Sequence, residues 1–208
     1  MNFSVTYRVA TSDDALEFQD VLIKTFPLEA SCFSLFKHTR EEMAQLLALE
    51  DIKCFLENDL SVIATAQGNT VGVLEVYPLT NMWNSPLKIS AGLDSINVMY
   101  NEIIKELDNV NCAADEIGVL DWLTVVQEYW GQGIGGCLVS EAVKLLRSKG
   151  FKYAAGVWVN KYSFALAQKH GFEQIAIVRY DEFEYDGKKP FLSSAAQHEG
   201  MKLAVKRL

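Results

Sequence analysis

The chain has 208 residues, half of them apolar, with 19 basic and 27 acidic residues and a net charge of −8. A chain of this length can bury a sizeable core within one domain, so we expect a single domain over residues 1–208. The acidic balance, without a stripe of Lys and Arg, argues against a nucleic-acid partner. It is compatible with a cationic small substrate.

The cysteines and histidines show no spacing typical of metal ligands. They are spread along the chain at Cys32, Cys54, Cys112, Cys137, His38, His170 and His198. We therefore expect reduced thiols and no metal site. The N-terminal residues lack the basic flank and apolar stretch of a secretory signal, and no run of about 18 apolar residues occurs. These patterns predict a cytoplasmic protein with no membrane partner.

The first predicted elements are a strand and a helix. Apolar residues alternate at positions 5, 7 and 9, as in a short strand. Ser12 and the two aspartates after it favour the start of a helix, because carboxylates stabilise the positive end of the helix dipole. We expect this helix to run to about Phe26 and to end before Pro27.

A second helix and a hairpin follow. The helix begins at Thr39, whose spacing to Glu42 makes a capping box, and its apolar positions recur on one face through Ile52. The segments "LSVIATA" and "TVGVLEVYPL" predict two strands joined by "QGN", which has the loop chemistry of a hairpin.

The second half alternates between strands and helices. Helical spacing runs from Ile96 to Leu107, and "EIGVLDWLTVV" predicts a buried strand. A helix beginning at Ile134 ends at Gly150, and the strand "YAAGVWV" is followed by a short helix over about residues 161–170. Two strands, "EQIAIVRYDEF" and "MKLAVKRL", complete the chain. This order predicts an α/β fold with a mixed, partly parallel sheet of about seven strands and helices on both faces.

The segment "EYWGQGIGGCLV" places four glycines between a predicted strand and a predicted helix, at Gly131, Gly133, Gly135 and Gly136. Its G-x-G-x-x-G pattern matches a dinucleotide fingerprint, but "QEYW" separates it from the strand and the next strand ends without an acidic residue. A ligand-free turn needs only one or two glycines. Close approach of an anion to a helix N-terminus explains the excess.

Two motifs in this region resemble the GNAT superfamily of N-acetyltransferases. "LTVVQEYWGQGIGGCLV" resembles its acyl-CoA-binding segment, and "NKYSFALAQKHGFEQI" resembles its next motif, which ends in Gly-Phe. The resemblance implies the GNAT fold, acetyl-CoA as co-substrate and no metal. The positions it implies for contact with acetyl-CoA are Leu123, Thr124, Val125, Trp130, Gly131, Gln132, Gly133, Ile134, Gly135, Gly136, Asn160 and Ser163. Trp130 departs from the family, which usually has Arg or Gln there.

Within the superfamily the chain is most similar to invertebrate arylalkylamine N-acetyltransferases, through "TFPLEAS", "YSFALAQKHGF" and "QHEGMKLAVKRL". This implies acetyl transfer to a small primary amine by direct attack in a ternary complex, in a monomer or weak dimer. Two alternatives stay open: an acetyltransferase for polyamines or amino-acid amines, and a non-catalytic CoA-binding module.

A protonated amine cannot attack a thioester, so a base is needed near the acyl group. The resemblance places Glu29 at the position of the catalytic glutamate. Asp121 is the rival, because strand alternation puts it on one face with Val119, Leu123 and Val125, where apolar neighbours would raise its pKa. It is alternatively a buried carboxylate satisfied by backbone donors. Glu75, on a predicted strand between Leu74 and Val76, is the third candidate.

The tyrosine that protonates the CoA thiolate in many relatives is replaced by Ala167. The resemblance makes Ser163 the substitute, which would bind the thiolate or order a water, unless it is only a first-turn helix serine. A backbone N–H near Val125 is expected to stabilise the acetyl oxygen. His170 is expected to be a helix C-terminal cation, and His198 lies either in the amine pocket or on the surface. Candidates for an aromatic wall of that pocket are Phe33, Phe36, Tyr77, Trp83, Trp122 and Trp158.

Overall fold

Seven strands form one mixed sheet in the computed structural model, which describes residues 4–29, 32–82 and 88–208. The strands are β1 (Val5–Val9), β2 (Val62–Ala66), β3 (Asn69–Pro78), β4 (Ile117–Val125), β5 (Tyr153–Trp158), β6 (Glu173–Arg179) and β7 (Gly200–Arg207). Their order in the sheet is β1-β2-β3-β4-β5-β7-β6. Only β4 and β5 pair in parallel; the other neighbours are antiparallel.

Helices cover both faces of the sheet, as expected. They are α1 (Ala15–Glu29), α2 (Arg40–Leu46), α3 (Leu49–Leu56), α4 (Ala91–Ile104), α5 (Ile134–Ser148), α6 (Lys161–Lys169) and the short α7 (Leu192–Ala195). One apolar core lies between one face of the sheet and the helices α1, α2, α3 and α4. A second core lies between the other face and the helices α5 and α6. Burial of one side of each helix against a sheet face is what holds these short segments helical.

Two predicted helix boundaries are wrong. Helix α1 continues through Pro27 to Glu29 instead of ending before the proline. Proline's fixed φ fits a helix, and burial of α1 side chains such as Phe18 and Leu22 against the core offsets the lost hydrogen bond. The predicted second helix is two helices, α2 and α3. They separate at Leu47, whose carbonyl oxygen accepts from the Gln19 side chain at 2.7 Å.

Strand β4 departs from regular strand geometry where it passes the centre of the sheet. Between the pairs Val73↔Thr124 and Glu75↔Asp121, one residue of β3 lies opposite two of β4, Trp122 and Leu123, which defines a β-bulge. Within the bulge Trp122 has φ +22°, outside the usual region for a non-glycine residue. The bulge reverses the alternation of all β4 residues beyond it.

Strands β4 and β5 separate beyond their first four pairs. Their register runs from Ile117↔Tyr153 to Leu120↔Gly156 and ends there, although both strands continue. The two strands therefore diverge, and a gap opens between them at the centre of the sheet. This gap and the bulge beside it position the candidate site.

Candidate functional site

A cavity of about 840 Å³ runs through the gap between β4 and β5 and reaches both faces of the sheet. On one side it is lined by the glycine turn and by α6, and on the other by α1, α4 and the bulge of β4. Eleven of the twelve positions at which the sequence predicted contact with acetyl-CoA line it: Leu123, Thr124, Val125, Trp130, Gly131, Gly133, Ile134, Gly135, Gly136, Asn160 and Ser163. Gln132 does not; its side-chain amide donates to the carbonyl oxygen of Glu128 at 3.5 Å.

The glycine turn has a different requirement at each position. Gly131 and Gly133 have φ values of +75° and +80°, which the turn itself demands. A Cβ on Gly136 would lie 3.3 Å from Nε2 of His170, so this glycine serves the packing of α5 on α6. Gly135 has ordinary φ and only loose neighbours, the nearest at 3.7 Å. Three of the four glycines are thus explained without a ligand, and Gly135 is the one that neither the backbone conformation nor close packing requires.

The N-terminus of α5 faces the cavity. The N–H of Cys137 donates to the carbonyl oxygen of Gly133 at 3.1 Å. The N–H groups of Ile134, Gly135 and Gly136 precede that bond and have no acceptor within the helix. Such groups, together with the helix dipole, favour a negatively charged ligand such as a pyrophosphate.

The end of β4 presents backbone groups to the gap. The N–H of Val126 donates to Val71 of β3 at 2.8 Å. Because peptide groups alternate along a strand, those of Val125 point away from β3 and into the gap. The carbonyl oxygen of Val125 accepts from the indole N–H of Trp130 at 2.6 Å. The Thr124 hydroxyl lies on the opposite face, 2.7 Å from that of Thr25 in α1.

The N-terminus of α6 is closed by its own side chains. The Asn160 side-chain oxygen accepts from the backbone N–H groups of Tyr162 and Ser163, at 2.9 and 2.8 Å. The Ser163 hydroxyl donates to the carbonyl oxygen of Asn160 at 3.1 Å. Both residues line the cavity, so they can contact a ligand there, but their first role is to cap the helix.

Asp121 is half-buried at the bulge and lines the cavity. Its Oδ2 accepts from the hydroxyls of Tyr77 and Tyr100, at 2.8 and 3.0 Å, and its Oδ1 accepts from the N–H of Trp122 at 3.0 Å. Burial raises the pKa of Asp121, and these three hydrogen bonds oppose the rise. Burial also raises the pKa of both tyrosines, which therefore remain neutral donors.

The predicted neighbours of Asp121 are partly wrong. Val119 and Asp121 lie on one face, opposite Tyr77 and Glu75 of β3. Leu123 and Val125 lie on the other face, in contact with the core of α5, because the bulge adds a residue between them and Asp121. The side of Asp121 that faces the cavity is therefore the face covered by α1 and α4.

Glu75 lies directly across from Asp121 and is 2% exposed. Burial, followed by the nearby carboxylate of Asp121, raises the pKa of Glu75 well above its usual range. The two carboxyls oppose each other's ionisation, and Glu75, the more deeply buried of the two, is the harder to ionise. Glu75 does not line the cavity.

Three aromatic rings form the wall of the cavity beside Asp121. Phe26 lies 4.5 Å from Trp122 and 4.9 Å from Phe33, measured between ring centroids, and Phe33 lies 5.6 Å from Trp122. Asn97 and Asn101, one turn apart on α4, add polar groups to the same wall. Phe26 and both asparagines were not among the residues predicted from the sequence, since no local pattern around them indicates which helix face lines a cavity.

Other expectations for the aromatic wall are met in part. Trp158 lines the cavity, whereas Tyr77 is fully buried behind Asp121. Phe36 is also absent from the lining; its ring packs against Phe191, with centroids 6.0 Å apart. Trp83 lies outside the described residues.

Three further residues that the sequence suggested for the site are Glu29, His170 and His198. Glu29 is the last residue of α1, and its side chain lies outside the described part of the structure. His170 is the C-terminal cap of α6, and burial, followed by Lys169 and Lys206, lowers its pKa, which opposes the expected positive charge. His198 does not line the cavity; its Nδ1 accepts from the N–H of Lys161 at 3.4 Å.

Within residues 4–29, 32–82 and 88–208, no group of side chains is arranged to hold a metal ion. Over the same residues, no helix is long and apolar enough to cross a membrane.

Comparison with known proteins agrees with this architecture. Residues 22–172 match the model of the acetyltransferase (GNAT) family. A mosquito arylalkylamine N-acetyltransferase-like 5b superposes with a TM-score of 0.77 at 21% identity, over 99% of this chain and 100% of that one. The C-terminal condensation domain of Ebony, in complex with beta-alanyl-dopamine, gives 0.85 at 14% over the whole of both chains.

A polyamine N-acetyltransferase of Drosophila melanogaster gives a TM-score of 0.75 at 16% identity, over 99% of this chain and 100% of that one. At these identities the likeness establishes the fold. The expected mixed α/β fold of the GNAT type is therefore confirmed.

Proposed function

The chain belongs to the acetyltransferase (GNAT) family, and we propose that it transfers the acetyl group of acetyl-CoA to the primary amine of a small arylalkylamine, by direct attack within a ternary complex. The observation that carries this proposal is the single cavity that crosses the sheet. An anion site and a strand edge open into it from one side, and a carboxylate among aromatic rings opens into it from the other. The two substrates can thus meet within the gap.

The α5 side suits acetyl-CoA. The N-terminus of α5 and the space at Gly135 would hold the pyrophosphate. The pantetheine arm would lie along β4 at Leu123 and Val125 as an added strand. The N–H of Val125 would then donate to the acetyl oxygen as negative charge develops on it. Trp130 and Gln132 would support the turn from outside the anion site.

The α1 side suits an aromatic amine. Phe26, Phe33 and Trp122 offer faces and edges to an aryl ring. The carboxylate of Asp121 attracts the ammonium group and can accept its proton, directly or through water, before the nitrogen attacks. The new C–N bond then forms as the C–S bond breaks, and the CoA thiolate takes up a proton. Ser163 lines the cavity, and its hydroxyl would donate to that thiolate after turning away from the carbonyl oxygen of Asn160.

Two carboxylates compete for the role of base. The family resemblance favours Glu29, and the described geometry favours Asp121, which lines the cavity and has a raised pKa. Glu29→Gln and Asp121→Asn separate them. Loss of the base lowers kcat by about 10²–10⁴ and removes the acidic limb of the pH profile. The variant that lacks the carboxylate which is not the base keeps the acidic limb of its pH profile.

A second acceptor class, polyamines, is favoured by the carboxylate of Asp121 together with the polar side chains of Asn97 and Asn101 in the cavity wall. The test is a panel of phenethylamine, tyramine, spermidine, agmatine and a lysine peptide, each incubated with acetyl-CoA while free thiol is followed. The proposal expects the highest kcat/KM with the aryl amines. Preference for spermidine or agmatine would mean that the acceptor is a polyamine-type amine and not an arylalkylamine. CoA binding without turnover of any amine would indicate a non-catalytic module.

A further inference from the structure

The indole N–H of Trp158 is a buried hydrogen-bond donor that meets no acceptor among the residues the structure describes. The side chain is 4% exposed, at the end of β5. A donor removed from water without a partner costs free energy, and folded proteins contain few of them. A ligand that supplies an acceptor at this point would remove the cost.

The ring of Trp158 lies where the strands separate. A Cβ added to Gly156 would lie 3.0 Å from Cζ2 and 3.2 Å from Cε2 of the indole, and 3.1 Å from the carbonyl oxygen of Leu120. Gly156 and Leu120 form the last pair between β4 and β5. The Cε2 atom is bonded to the donor nitrogen, so the donor edge lies near the closed end of the gap. The Trp158 side chain lines the cavity, but its donor nitrogen is itself covered, so the strands must part slightly there for an acceptor to reach it.

The ring orientation is fixed by packing. Phe172, which follows α6, meets the indole edge-on with centroids 5.6 Å apart and planes at 72°. Both rings belong to the core on the α5 side of the sheet. The donor is therefore held in place before any ligand arrives, as a binding group requires if it is to cost little entropy on association.

We propose that the indole N–H of Trp158 donates to a carbonyl oxygen of the acyl-pantetheine arm, which makes Trp158 a binding residue for the thioester half of the co-substrate. This rests on the proposed function, in which that arm occupies the gap. The arm is rich in acceptors: it carries two amide carbonyls, and acetyl-CoA adds the acetyl carbonyl. The nucleotide half, at the N-terminus of α5, gains nothing from Trp158.

The test is Trp158→Phe, which keeps an aromatic ring in the core and removes the donor. Calorimetric titration compares acetyl-CoA, CoA and adenosine 3′,5′-bisphosphate, which lacks the arm. We expect acetyl-CoA to bind about fivefold to tenfold more weakly to the variant, and the bisphosphate to bind equally well to both proteins. A loss with acetyl-CoA alone assigns the acetyl carbonyl, and an equal loss with CoA assigns a pantetheine amide.

A merely structural role has a different signature. Equal weakening of all three ligands, or unchanged affinity for acetyl-CoA, would overturn the assignment of Trp158. If the wild-type protein bound no acetyl-CoA, the proposed function itself would fail. Without ligand, the unfolding temperature of the variant reflects two opposing effects, since phenylalanine leaves part of the indole volume empty and an unsatisfied donor is removed.

Nuclear magnetic resonance gives a readout that does not depend on the behaviour of the variant. The indole Hε1 resonance of Trp158, assigned after selective tryptophan labelling, should move downfield when the wild-type protein binds acetyl-CoA, because the proton enters a hydrogen bond. The bisphosphate should leave it unchanged. A resonance that responds equally to both ligands would contradict the proposal.

Discussion

The indole N–H of Trp130 donates to the carbonyl oxygen of Val125 at 2.6 Å, which ties the residue before the glycine turn to the end of β4. The arginine or glutamine common in the family at this position is thus replaced by a side chain that still donates a hydrogen bond, here to the protein's own backbone. The contact links the turn before α5, where we propose that the pyrophosphate binds, to the strand edge where the acetyl group is expected.

Replacement of Trp130 with Phe should raise KM for acetyl-CoA about fivefold to tenfold, since one hydrogen bond that orients the turn contributes about 1 kcal/mol. The value of kcat at saturating acetyl-CoA should change little, because the acetyl group and base keep their positions. Steady-state kinetics with acetyl-CoA varied at saturating amine measures both constants. An unchanged KM would show that the turn holds its geometry without this bond.

Gly133 and Gly135 should respond oppositely to alanine. At φ +80°, Gly133→Ala should destabilise the fold by about 1–2 kcal/mol, seen as a lower Tm. Gly135 has an ordinary φ, and an added Cβ would have no neighbour nearer than 3.7 Å. The Tm of Gly135→Ala should therefore equal that of the wild type or exceed it. Its affinity for adenosine 3′,5′-bisphosphate and for CoA should nevertheless fall, because the methyl group enters the anion site. If Gly135→Ala bound both ligands as tightly as the wild type, the pyrophosphate would not bind beside Gly135.

Tyr77→Phe should shift the pH dependence of catalysis if Asp121 is the base. The Tyr77 hydroxyl, at 2.8 Å, lowers the pKa of the Asp121 carboxyl, so its removal raises that pKa. Asp121 then loses its proton only at higher pH, and the acidic limb of kcat/KM should move to higher pH. Tyr77 does not line the cavity, so the amine site is not altered directly. A limb that stays in place would favour Glu29 as the base.

Glu75→Gln should change how stability depends on pH. The pKa of Glu75 is raised in the folded state, so its contribution to stability is present below the unfolded pKa, near 4.5, and is lost as pH rises through the folded pKa. The glutamine variant avoids that loss. Its free energy of unfolding relative to wild type should therefore increase between about pH 5 and pH 8.

The measurement for Glu75→Gln is urea unfolding at several pH values, with Glu102→Gln, at an exposed position on α4, as the matched control. The control should show no comparable trend. A parallel pH dependence in wild type and Glu75→Gln would mean that Glu75 ionises without penalty, and that Asp121 has no neutral partner beside it.

Local sequence determined much of this protein. The periodicity of apolar residues predicted seven strands and helices on both faces, and the capping box at Thr39 is confirmed by bonds of 2.9 and 3.1 Å. The glycine segment and the motif ending at Phe172 identified the family. These features follow from short-range rules of capping, turn conformation and alternation, which act within a few residues.

Other features depended on the tertiary structure. The bulge at Trp122 moved Leu123 and Val125 to the face opposite Asp121, and it arises from the register with β3, a strand more than 40 residues away in sequence, as in the pair Glu75↔Asp121. The continuation of α1 past Pro27 likewise depends on burial of that helix. Asn97 and Asn101 became part of the site only because α4 packs beside the gap. Pairing and burial between distant segments decide such features, and no local pattern encodes them.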